Sequence, residues 1–226
     1  MADYIDKNIL CQAYIHVHVD EGLGRKNIAE LEKELLAFTT ARARFFVYPE
    51  VDVNVEFRDG SLKAYLTIAG GICLAISNYG GLRSGIDILH SDIKRLADSL
   101  VNESLFVTKT RRHQIVRTEA RTGVIGSLKV LVDDMKTVED SLGQISVDEA
   151  ARRVKRLRED AELLIENVKD EKDRDAVEAD VELFTDGLPA KCPHPPEKVP
   201  DDAAIFAYQD ALSELRKRFG KQKGRR

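Results

Sequence analysis

Two alternating runs flank the Asp-Gly dipeptide at positions 59–60, and no other feature of the chain restricts its fold so sharply. Val51, Val53, Val55 and Phe57 alternate with Asp52, Asn54, Glu56 and Arg58. Beyond the dipeptide, Leu62, Ala64, Leu66 and Ile68 alternate with Ser61, Lys63, Tyr65 and Thr67. Period two marks a strand with one buried face, and Asp-Gly supplies the positive φ angles of a tight hairpin turn. A lone hairpin is marginal in water, so something must cover its apolar side. Residues 9–19 read as a further strand, with Ile9, Cys11, Ala13, Ile15, Val17 and Val19 on one face and Gln12, Tyr14, His16 and His18 on the other. A helix is expected from about Asn27, with Glu30 as capping-box partner and Ile28, Leu31, Leu35 and Phe38 as its stripe. The order β-α-β-β predicts a small α+β sheet domain.

Farther along, the period lengthens. Ser84 is expected to cap a helix carrying Ile86, Leu89, Ile93, Leu96 and Leu100. Leu128, Leu131, Met135, Val138 and Leu142 repeat the 3-4 spacing. Ser146 and Glu149 form a capping box before Ala150, Val154, Leu157, Ala161, Leu164 and Val168. Such spacing builds a seam between helices, within a bundle or between chains. Leu128, Leu131, Met135, Val154, Leu157 and Leu164 are therefore the candidate residues for docking on a protein partner or a second copy. The prolines of 188–200 suggest a linker, and a last helix from Asp201 carries Ile205, Tyr208, Leu212 and Leu215. The expected organisation is an α+β domain over 1–104, a helical region over 105–187, a linker over 188–200, and a helix with a basic tail over 201–226.

Composition narrows the class. With 43% hydrophobic and 33% charged residues the chain can bury a core, which excludes wholesale disorder. Three cysteines at positions 11, 73 and 192, with no CxxC, point to a reducing compartment and against a disulfide framework. A secretory signal pattern is missing from the first residues, so a bacterial-type cytoplasmic protein is the expectation. Residues 64–82 hold no charge over nearly the length of a membrane span. Four glycines and the overlap with the hairpin strand favour a buried Gly-rich helix over a conditional membrane insertion.

His16-Val17-His18-Val19 is the sharpest chemical feature, because residues two apart on a strand point the same way and two imidazoles can chelate a divalent metal. The segment resembles the motif of HUH endonucleases, which implies a metal at His16 and His18 and a tyrosine that attacks a scissile phosphate. Tyr79 and Tyr208 lack that family's Tyr-x-x-Lys setting, and Tyr4-Ile5-Asp6-Lys7 has the letters but lies close before His16. Metallohydrolases of the PHP type also begin His-x-His, yet need more ligands than His90, His113 and His194 supply. Arg83 and His90 match the loose spacing of HEPN ribonucleases at a frequency expected by chance. A polar sheet face that happens to carry two histidines is the plainer reading, and it needs no metal or other cofactor. Phosphate loops, nucleophile elbows and zinc-protease helices are all missing, which lowers the expectation of an enzyme.

Charge is segregated. Arg216, Lys217, Arg218, Lys221, Lys223, Arg225 and Arg226 crowd the last eleven positions without an acid, although the whole chain carries a net charge of −4. Lys109, Arg111, Arg112, Arg117 and Arg121 form a second basic stretch. Such segments bind phosphates without reading bases, or acidic protein surfaces such as the acidic helix expected over 159–182 of a neighbouring copy. In layout, residues 8–100 resemble the small α+β adaptors that accompany effectors in bacterial anti-phage systems. That resemblance implies a non-catalytic docking role and assigns no residue a function.

Overall fold

A computed structural model describes residues 8–18, 25–48, 50–58, 62–77 and 79–220. The chain divides into two compact units between Ser127 and Leu128. The first contains strands β1 (Ile9–Val17), β2 (Asp52–Arg58), β3 (Leu62–Ala69) and β4 (Ile115–Arg121), with helices α1 (Arg25–Phe46), α2 (Ile72–Ser77) and α3 (Leu82–Val107). The strands form one sheet in the order β2-β3-β1-β4, antiparallel throughout. Two β-α-β units are thus split and interleaved, as in ferredoxin-like sandwiches. The fold is α+β, as the alternating runs predict.

Alternation puts Cys11, Ala13, Ile15, Ala64, Leu66 and Ile68 on one face, all fully buried. Helix α3 packs against β1 and β4, α1 against β2 and β3, and the two helices against each other. The 3-4 stripe Ile86, Leu89, Ile93, Leu96 and Leu100 is fully buried, as its spacing requires.

Several expectations need correction. The uncharged run 64–82 is not one helix: β3 ends at Ala69, α2 is a six-residue helix and α3 starts at Leu82. Positive φ at Gly80 and Gly81 breaks the path between the two helices. Ser84 does not cap α3; Gly81 stands at the cap position, and the Ser84 hydroxyl donates to the Gly80 carbonyl at 2.9 Å. Helix α1 already runs at Arg25, so Asn27 lies inside it. The fourth strand falls at Ile115–Arg121, within the stretch expected to be helical. The turn at Asp59-Gly60 lies outside the described residues. Among those described, no helix is long and apolar enough to cross a membrane.

The second unit is helical. The division falls within α4 (Gly123–Ser141), and α5 (Val147–Asn167), α6 (Glu171–Gly187) and α7 (Asp202–Phe219) follow. Helix α7 packs on α5 and α6. Ser146, Asp170 and Asp201 cap the three helices, each accepting a backbone N–H three residues on. The reciprocal half of the Ser146 capping box is absent, because the Glu149 carboxylate binds Arg152 and Arg153 instead. Asp170 also splits the acidic stretch 159–182, which is not one helix. The proline-rich segment is tied down: the Tyr208 hydroxyl donates to the Pro189 carbonyl at 2.9 Å, Arg216 to that of Leu188 at 2.8 Å, and the Gly143 N–H to that of Pro193 at 3.2 Å.

Candidate functional site

The same alternation that feeds the core sends another set of side chains to the face opposite the helices. Because β1 lies between β3 and β4, and β3 between β1 and β2, the ladder registers align these side chains in rows across all four strands. Arg58 is opposite Lys63, Lys63 opposite His16, and His16 opposite Arg117. The next row is Glu56, Tyr65, Tyr14 and Glu119, and the one after it Asn54, Thr67, Gln12 and Arg121. Strand spacing makes each row about 14 Å wide, with successive rows about 7 Å apart.

The first row places one basic side chain on every strand. Arg58 and Lys63 are directly opposite, and like charges so placed destabilise a sheet, so folding alone does not favour this arrangement. Glu56 offsets part of the cost by binding Arg58 at 2.7 Å, and Glu119 pairs with both Arg117 and Arg121. The guanidinium groups still face water, with side-chain exposures of 59% at Arg58 and 67% at Arg117. Desolvation, then the Lys63 charge and His18, push the His16 pKa below the ordinary histidine range.

In the second row the Tyr14 and Tyr65 rings lie with centroids 4.8 Å apart, tilted by 38°. The Arg58 guanidinium sits over the Tyr65 ring at 4.8 Å, and that of Arg121 over the Tyr14 ring at 5.7 Å. Tyr14 is only 8% exposed. Burial and then Tyr65 raise the Tyr14 pKa. The third row is braced internally: Gln12 donates to Thr67 Oγ1 at 2.9 Å and accepts from Arg121 at 2.8 Å. At the basic end, the His18 N–H donates to the Gln114 carbonyl at 2.8 Å. Arg111 and Arg112, in the turn that leads to Gln114, are exposed.

The structure places the sequence-derived candidates as follows. His16 and His18 share this face, their ring centroids 6.3 Å apart. Lys63 and Arg117 flank His16, a setting that attracts anions and repels a metal cation. Among the described residues, no group of three or more His, Cys, Asp or Glu side chains is placed to hold a metal. The Tyr79 hydroxyl donates to Asp92 at 3.0 Å, and burial followed by that carboxylate pushes its pKa up to about 12. Burial takes Tyr208 to about 12 as well. Tyr4 lies outside the described residues. Leu128, Leu131, Met135, Val154, Leu157 and Leu164 are buried within the chain itself, none more than 6% exposed. Of the tail, Arg216 binds a carbonyl, Arg218 approaches Glu178 at 3.4 Å, and Lys217 lies 4.0 Å from Glu214. Lys221, Lys223, Arg225 and Arg226 fall outside the described residues.

The lowered pKa of His16 carries a testable sign. The unfolded chain takes up the proton first as pH falls below about 6.5, so stability is lost progressively below that value until the folded pKa is passed. His16→Gln is expected to reduce the drop in melting temperature between neutral and mildly acid solution. An unchanged drop would show that His16 does not titrate differently on folding.

The sequence puts Tyr14 and Tyr65 on polar faces without pairing them. The usable signal was an aromatic residue of matching parity on two neighbouring strands. Comparisons with protein families, with curated proteins and with solved structures find no match for this chain.

Proposed function

We propose that the chain is a non-catalytic binding module that takes an anionic partner on the open face of its sheet. The observation that carries this reading is the row Arg58, Lys63, His16 and Arg117, in which three strands present a cation at one register and the fourth an imidazole between two of them. Proteins hold like charges together where a ligand of opposite charge completes the site, since the field between them raises the local concentration of counter-ions.

Retention on a heparin column tests it. Lys63→Gln combined with Arg117→Gln is expected to lower the salt needed for elution, with the melting temperature kept or raised because repulsion across the row is relieved. Deletion of residues 221–226 serves as the control for the tail, and the truncated chain is expected to keep most of its retention. Retention that survives the double substitution but vanishes with the tail would overturn the reading.

A further inference from the structure

We infer that the anionic partner is a single-stranded nucleic acid, with bases stacked on Tyr65 and Tyr14 and phosphates held by Arg58, Lys63, His16 and Arg117. This rests on the anion-binding reading of the same face and names its occupant.

Three observations point to this occupant. First, the basic row and the aromatic row are adjacent and parallel, about 7 Å apart, the scale on which a nucleotide's base and phosphate are separated. A ligand bearing charge alone has no use for the rings, and an apolar ligand has none for the cations. Second, the rings occupy the centre of the sheet, on β1 and β3, while arginines stand on the outer strands β2 and β4. Bases then lie on the two central strands and phosphates along the adjacent basic row, whose ends are the arginines of β2 and β4. Third, both ring faces already carry a planar cation, Arg58 on Tyr65 and Arg121 on Tyr14. A base is planar too, and it takes the place of the guanidinium on the ring.

The displaced side chain keeps its charge and turns to a phosphate. Both arginines are exposed enough for that swing, with side-chain exposures of 59% and 44%. Glu56 and Glu119 hold the arginines in the free protein, so binding exchanges a carboxylate partner for a phosphate partner. A duplex is excluded as the favoured ligand because its base faces are already stacked on one another. Stacking on tyrosine is tolerant of sequence, and Gln12, the residue best placed to read a base edge, is bonded on both sides. The face therefore selects strandedness over sequence.

Fluorescence anisotropy with the full chain tests the inference, using a short mixed-sequence single strand as DNA and as RNA, the matching duplex, and an abasic strand of equal length. The single strand is expected to bind at least about tenfold more tightly than the abasic strand. Tyr14→Ala and Tyr65→Ala are each expected to weaken it by about five- to a hundredfold, leaving abasic binding unchanged. Because the chain has no tryptophan, tyrosine fluorescence of the unsubstituted protein gives an independent readout, quenched by the single strand and not by the abasic one. Equal affinity for single and abasic strands, or tighter binding of the duplex, would overturn the inference. The anion-binding reading would then survive if abasic binding still depended on Lys63 and Arg117. No binding of any of these polyanions would overturn both.

Discussion

Gly123→Ala is expected to cost the sheet unit at least about 3 kcal/mol, more than any change on its open face. Gly123 opens α4 with φ at +51°, a conformation that costs an L-residue about 1–2 kcal/mol. The larger contribution is steric. A Cβ there would stand 2.0 Å from the Ile9 carbonyl oxygen and 2.9 Å from the Leu10 carbonyl carbon. Those are backbone atoms at the start of the central strand, so no side-chain rotation relieves the contact. The start of β1 must shift where it pairs with β3, at a point already marked by a break in register between Ile9 and Cys11. At about 2–4 °C per kcal/mol for a chain of this size, calorimetry should show a fall of roughly 6–12 °C. A change below about 2 °C would mean that β1 and the α4 start move apart freely.

The second large effect is expected in the helical unit. Tyr208 is 1% exposed, and its hydroxyl holds the Pro189 carbonyl. Tyr208→Ala combines the loss of a buried ring with the release of residues 188–200, at about 3–5 kcal/mol. Tyr208→Phe keeps the ring, drops one hydrogen bond and should cost about 1 kcal/mol. Cys192 reports on the release. Burial raises its thiol pKa in the native chain, so a thiol reagent should label it faster in the alanine variant than in the phenylalanine one. Equal labelling in both would place the tether elsewhere, at Arg216 or Gly143.

The parts of the fold that local pattern controls are legible in the sequence. Strands β1, β2 and β3 follow from period two, α3 from its 3-4 stripe, and α5 and α7 from Ser146 and Asp201. Strand β4 escapes because none of its residues is buried, Thr118 being exposed and Ala120 only half-buried, and its alternation of Arg117, Glu119 and Arg121 reads as a basic run. Helix α6 escapes because its Asp170 cap is hidden among other acids. For the site, the Asp-Gly turn taken alone would set Arg58 opposite Ser61; the observed partner is Lys63, two residues farther on, although parity alone puts both side chains on the polar face. The positions of His16 and Tyr14 beside Lys63 and Tyr65 depend on pairing between strands some fifty residues apart, and that of Arg117 on a still longer separation. Such registers are set by packing of the whole sheet, which local periodicity does not encode.

The sheet's topology also bears on how the chain emerges from a ribosome. β1 is the first of the four strands to be made and the only one bonded to both β3 and β4. At about 5–20 residues per second, the interval between completing β1 and completing β4 is roughly 5–20 s. Throughout that wait, the apolar side chains of β1 have no finished sheet to enter, and the strand's backbone groups on the β4 side have no partner. Nascent chains stalled before residue 121 should therefore hold a chaperone that releases once β4 has cleared the exit tunnel.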